Sequence, residues 1–184
     1  SNNVFDGKLG LYKEDDQVSA LNVYGQSKIA GERNVMTSAS DSLIIRTSGV
    51  YGPDIHRKNF VCQVARSCKL VQSLQIASDQ SENAIYARDL ANATIKLLTK
   101  QCSGIYNIAG PHILTKYDLA IKITQILSLD NELLIPSLSS NMMGKAPRPL
   151  LGDLDCTKLK TMIPDVEIRS IEDALKDWDP SVDL

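Results

Sequence analysis

The sequence predicts an α/β fold built on a mainly parallel sheet, and three observations carry that expectation. Short apolar runs suited to buried strands alternate with amphipathic stretches suited to helices along most of the chain. The length, 184 residues, is about that of one domain. The composition, 43% hydrophobic and 23% charged, is that of a chain able to bury a core.

The elements follow in order. Val4-Phe5 reads as the tail of a strand, with a glycine-bearing loop, Asp6 to Gly10, behind it. The consecutive acids Glu14-Asp15-Asp16 read as a solvated loop rather than converging metal ligands. A helix is predicted from about Asn22 to Met36, with Gly25 and Gly31 as its weak points. Leu43-Ile44-Ile45, bounded by Asp41 and Arg46, fits a buried strand. Arg46 at its end is expected to pair with a carboxylate such as Asp89.

Phe60, Val61, Val64, Ala65 and Cys68 recur at helical spacing, and Leu74-Gln75-Ile76 fits the next strand. Leu90, Ala93, Thr94, Leu97 and Leu98 mark a further helix that ends before Gly104. Ile105 to Ile108 is a strand closed by Gly110-Pro111, and Thr115 with Asp118 forms a capping-box pattern for a helix through Leu127. After Ile135 the texture changes to an irregular stretch through Pro147-Arg148-Pro149, and loops of that length in compact domains are usually functional or mobile. A helix signal returns near Asp155, and Ser170 to Asp173 caps a terminal helix through Trp178, whose ring is expected to pack.

Several function classes are disfavoured by counting. Twenty Lys and Arg against 22 Asp and Glu leave a net charge of −2, a poor match to the phosphate backbone of nucleic acid. No apolar run approaches the roughly 20 residues of a bilayer span, so the chain is expected to be cytoplasmic with no membrane partner. The four cysteines, at 62, 68, 102 and 156, form no CxxC pair, and there are two histidines. That spacing does not suit zinc, and the expectation is free thiols and no metal.

The sharpest local feature is Tyr24-Gly25-Gln26-Ser27-Lys28. On a helix, residues four apart share a face, so the phenol and the ammonium converge. A neighbouring cation favours phenolate over phenol, which suits proton transfer near neutrality. One such pair arises readily by chance, and the blocks around it decide the matter.

The stretch Leu21-Asn22-Val23-Tyr24-Gly25-Gln26-Ser27-Lys28-Ile29-Ala30-Gly31-Glu32 resembles the active-site helix of extended short-chain dehydrogenases/reductases, and more narrowly that of dTDP-4-dehydrorhamnose reductases. Val4-Phe5-Asp6-Gly7, Tyr12 to Asp16, Arg46 to Gly52, Asn59-Phe60, Ser78-Asp79-Gln80, Asp89-Leu90-Ala91, Gly104 to Gly110 and Pro147-Arg148-Pro149 are similar to further blocks of that family, in the same order.

The resemblance implies the late part of a Rossmann-type parallel sheet plus a small C-terminal substrate-binding lobe. Residues 1–103 would carry Rossmann elements with interleaved lobe segments, and residues 104–184 mainly the lobe. The implied reaction passes a hydride from NADPH or NADH to the 4-keto group of a dTDP-linked deoxysugar. Tyr24 would be the acid, Lys28 would assist it and bind the nicotinamide ribose, and Ser1 would hold the keto oxygen. Asn2 falls on a substrate contact that is usually Asp. Gly49 stands where bacterial members carry a Trp against the sugar, and Arg148 is a candidate diphosphate contact.

No GxxGxxG turn occurs in these residues, so the chain is expected to be the C-terminal portion of a reductase and to bind dinucleotide weakly or not at all. The family's nucleotide-sugar substrate and a homodimer are the implied partners. The regulatory beta subunit of methionine adenosyltransferase resembles the same reductases, which leaves a non-catalytic role beside a partner enzyme as an alternative reading. Nucleotide-sugar epimerases and dehydratases are a third. They tend to carry an Arg near the place where this chain has Glu82.

Overall fold

The structure is a computed structural model that describes residues 1–142, 144 and 146–180. Met143 and Lys145 of the long loop, and the last four residues of the 104–184 segment, lie outside the described residues. The chain is α/β. Its helices are α1 (Val23–Ser38), α2 (Phe60–Lys69), α3 (Ala87–Thr99), α4 (Lys116–Ile126), α5 (Thr157–Met162) and α6 (Ile171–Asp177). Its strands are β1 (Leu43–Arg46), β2 (Val50–Tyr51), β3 (Leu74–Ala77), β4 (Ser81–Glu82), β5 (Ile85–Tyr86), β6 (Gly104–Asn107), β7 (Leu114–Thr115) and β8 (Leu134–Ser137).

Most pairings join strands distant in sequence and run parallel, as helix-bearing crossovers require. β1 lies beside β6 with Leu43 opposite Gly104, and β2 lies beside β5 with Val50 opposite Ile85. β3 lies beside β8 with Leu74 opposite Leu134. The exception is β4, which runs antiparallel to β7 with Glu82 opposite Leu114.

Four helices begin where a side-chain oxygen takes up an otherwise orphaned backbone donor. Asn22 accepts from Gly25 N, Asn59 from Cys62 N, Thr115 from Asp118 N and Ser170 from Asp173 N. Apolar side chains then fill three clusters. Val61, Val64, Leu119, Ile123, Ile171 and Leu175 join α2, α4 and α6, with Trp178 packed against them. Ala93, Leu97, Tyr106, Ile108, Leu159 and Ile163 join β6 to α3 and α5. Val4, Phe5, Tyr12 and Leu154 form the third, where the Phe5 and Tyr12 rings stack at 4.1 Å. The cysteines are free thiols, buried at 62 and 68 and half-buried at 102 and 156.

Three expectations change on folding. Val4-Phe5 is not the end of a strand: Asn2–Val4 form a 3-10 turn capped by the Ser1 hydroxyl, and the apolar pair marks core instead. The irregular stretch after Ile135 begins later than expected, because Pro136 lies inside β8 opposite Ile76. Among the described residues β8 has β3 as its one strand partner, and an edge strand tolerates a residue without an N–H.

Arg46 does not meet Asp89. Its Nη2 donates to Glu32 Oε2 at 2.8 Å and its Nε to Glu32 Oε1 at 3.0 Å, tying β1 to α1. Asp89, at the start of α3, is held instead by Arg169. α1 itself packs lightly on the sheet. Gly25 is its one buried residue, Ile29 is half-buried, and the ion pair to Arg46 supplies the link farther along.

Candidate functional site

The principal cavity is an open cleft of about 1220 Å³ between the N-terminal turn, the start of α1, the β1–β2 connection and the loop after β8. Ser1, Asn2, Tyr24, Lys28, Gly49 and Arg148, six positions scattered over 148 residues of sequence, all line it. Tertiary folding brings the sequence candidates to one place.

The approach of the N-terminal turn to α1 depends on Gly25. A Cβ there would lie 2.1 Å from the Asn3 carbonyl oxygen, so only glycine lets the two segments meet. Tyr24 and Lys28 sit one turn apart on the cleft side of α1, with Lys28 Nζ 5.2 Å from the centre of the Tyr24 ring. Tyr24 is 54% exposed, so its hydroxyl is accessible from the cleft. The Ser1 hydroxyl oxygen accepts from Asn3 N at 3.3 Å and its hydrogen remains available to a ligand.

Asn2 is buried, and its amide is already employed. Nδ2 donates to Ser48 Oγ at 3.1 Å and to the Gly152 carbonyl at 3.1 Å, while Oδ1 accepts from Asn3 Nδ2 at 3.0 Å. Gly49 takes φ of +38°, and the space above it holds the Glu82 carboxylate. Arg148 is exposed and lines the same cleft.

Two cleft residues, Lys58 and Lys116, carried no motif that sequence reading would single out, and two others, Asn22 and Asp79, take structural roles that it did not assign. Lys58 and Lys116 line the cleft, so four cations (Lys28, Lys58, Lys116, Arg148) face one carboxylate, Glu82, among the described residues. Asn22 both caps α1 and donates through Nδ2 to the Pro147 carbonyl at 2.7 Å, fastening the loop that bears Arg148 to the helix that bears Tyr24. Asp79 serves the architecture, since its carboxylate accepts from Ser139 N and Ser139 Oγ and holds the start of the same loop.

Among the described residues no three His, Cys, Asp or Glu side chains gather as a metal would need, and no helix is long and apolar enough to cross a membrane. A cationic cleft in a chain of net charge −2 is suited to an anionic ligand of the size of a nucleoside diphosphate.

The family model described as RmlD substrate binding domain matches residues 1–179. Spore coat polysaccharide biosynthesis protein SpsK of Bacillus subtilis is 37% identical over 148 residues, covering 79% of this chain and 50% of that protein. The dTDP-4-dehydrorhamnose reductase of Aggregatibacter actinomycetemcomitans is 34% identical over 169 residues, covering 85% and 57%. Methionine adenosyltransferase 2 subunit beta of Xenopus laevis is 28% identical over 170 residues, covering 88% and 50%.

A crystal structure of dTDP-4-dehydrorhamnose reductase from Bacillus anthracis in complex with NADP matches with a TM-score of 0.86 at 25% identity, covering 96% of this chain and 62% of that one. The chain thus spans about half the length of the curated relatives it matches.

Proposed function

Because this chain belongs to the RmlD substrate binding domain family, we propose that it is the sugar-binding portion of an NAD(P)H-dependent reductase acting on the 4-keto group of a dTDP-linked deoxysugar, in dTDP-rhamnose biosynthesis. The observation that carries this reading is the convergence of Ser1, Asn2, Tyr24, Lys28 and Arg148 on one cleft with four cations around it. On this reading residues 1–103 carry Rossmann elements with interleaved lobe segments, and residues 104–184 mainly the substrate lobe. A soluble cytoplasmic setting and a homodimer belong to the same reading.

Each residue then has a role. The Tyr24 hydroxyl donates its proton to the oxygen that develops negative charge as the ketone is reduced. Lys28 holds its ammonium beside the phenol and would bind the ribose of a nicotinamide cofactor. The Ser1 hydroxyl donates to the keto oxygen and Asn2 fixes the geometry of that corner. Arg148 meets the diphosphate with its guanidinium fork. The nicotinamide, when bound, supplies the hydride. The open face of Tyr24 and Lys28 suits its ribose, whereas these residues include no glycine-rich turn for its diphosphate.

The test is NAD(P)H oxidation with dTDP-4-dehydro-6-deoxy-L-mannose, on a polypeptide carrying these residues together with a glycine-rich dinucleotide-binding half. Tyr24→Phe should lower turnover roughly a hundredfold to ten-thousandfold with little change in KM. Turnover that survives the substitution would remove Tyr24 from the acid role.

The similarity to the methionine adenosyltransferase beta subunit supports a second reading, a non-catalytic partner of another enzyme. Cofactor binding without turnover, together with capture of a methionine adenosyltransferase, would select it. Conversion of a sugar nucleotide without net consumption of NAD(P)H would select the epimerase or dehydratase reading.

A further inference from the structure

Glu82 is the one carboxylate lining the cleft among the described residues, and none of the steps above uses it. It stands on β4, opposite Leu114 of β7, with its side chain 14% exposed. Its Oε2 accepts from Ser48 Oγ at 3.3 Å, and its Oε1 lies 3.9 Å from Lys116 Nζ, an ion pair too long for a hydrogen bond.

Behind Ser48 the donors run in one direction. Asn3 Nδ2 donates to Asn2 Oδ1, Asn2 Nδ2 to Ser48 Oγ, and Ser48 to Glu82. Every proton in that chain points toward the carboxylate, so Glu82 is its terminal acceptor. An ionised carboxylate takes about four hydrogen bonds, and Ser48 occupies one of those sites. The remaining capacity borders the cleft.

Gly49 makes this placement possible. A Cβ at position 49 would sit 2.7 Å from Glu82 Oε1 and 3.0 Å from Ala84 Cβ. A side chain at position 49 and the carboxylate of Glu82 therefore compete for the same volume. In this chain the volume is held by an acceptor, next to the corner formed by Ser1 and Asn2.

We propose that Glu82 is a specificity-determining residue, accepting a hydrogen bond from a hydroxyl of the bound sugar, so that the cleft selects a hydroxylated hexosyl group over its deoxy counterpart. The proposal rests on the nucleotide-sugar reading of the cleft. A pocket that commits an acceptor to a substrate hydroxyl discriminates against the analogue lacking it, because one of that acceptor's hydrogen bonds is then lost.

The test is calorimetric titration of a polypeptide carrying these residues together with a glycine-rich dinucleotide-binding half, with dTDP, dTDP-L-rhamnose and the 2-deoxy and 3-deoxy analogues of dTDP-L-rhamnose. The wild type should bind dTDP-L-rhamnose about tenfold or more tightly than at least one deoxy analogue. Glu82→Gln keeps the volume and an oxygen for Ser48. Glu82→Asp keeps the charge but draws it back from the sugar. Both should bring that ratio to within about twofold while leaving affinity for dTDP unchanged, a pattern that a purely structural role would not produce.

A wild type that binds dTDP-L-rhamnose and both deoxy analogues equally would overturn the proposal and leave the nucleotide-sugar reading standing. So would a ratio that survives in both variants. A wild type that binds neither dTDP nor any dTDP sugar would overturn the nucleotide-sugar reading, and the role of Glu82 with it.

Discussion

Gly25 decides more of the site than its size suggests. Within the Tyr24–Lys28 pattern it reads as a weak point of the helix, yet its missing side chain is what admits the Asn3 carbonyl, 2.1 Å from where a Cβ would lie. Backbone cannot give way as a flexible side chain does, so Gly25→Ala should cost about 1–3 kcal/mol, read as a lower urea midpoint with unchanged slope. Unaltered stability would show that the N-terminal turn relaxes freely. Tyr24 and Lys28 were legible from the sequence because helical spacing alone puts them on one face. Glu82, Lys58 and Lys116 were not, since nothing local distinguishes a charged side chain that lines a cleft from one that faces bulk water.

At the scale of elements, the caps were the most readable feature. Thr115 and Ser170 bond the backbone as their capping patterns imply, because that chemistry is complete within four residues. Strand ends were less readable. Val4-Phe5 is apolar for a ring stack rather than a sheet, and Pro136 enters a strand because its neighbour lies on one side only. Partners of buried charges were not readable: Arg46 chose Glu32 and Asp89 chose Arg169, pairings set by which helix comes to rest beside which strand.

A pH dependence follows from the contact between α4 and α6. The Lys122 ammonium beside Glu172 holds its carboxyl below the usual carboxylate range. A group depressed in the folded state stabilises above its unfolded pKa, and that stabilisation is lost as pH falls through the folded value. Glu172→Gln should therefore lower stability slightly at pH 7, as expected for a pair that solvent partly screens, and flatten by the same amount the decline below about pH 4. Denaturation midpoints across roughly pH 3 to 7 would check this, and an acid limb identical to that of the wild type would count against it.

At the scale of the molecule, the proposed function predicts that the cleft treats a nucleotide sugar and a dinucleotide differently. Cationic lining favours a nucleoside diphosphate, whereas a dinucleotide finds no glycine-rich turn for its phosphates within these residues. The 184-residue chain should therefore bind dTDP saturably in a titration and show no saturation by NADPH up to about millimolar concentration. Tight NADPH binding would place a phosphate cradle where none is foreseen. By itself the sequence determined the alternation of strands and helices, their caps and the shared face of Tyr24 and Lys28, because each is settled by interactions within a turn or two of chain. Only the tertiary structure decided that Asn2, Gly49 and Arg148 converge with them, that Glu82 fills the volume above Gly49, and which charges pair. Those outcomes depend on crossovers that bring together residues up to 150 positions apart, a distance over which local periodicity carries no information.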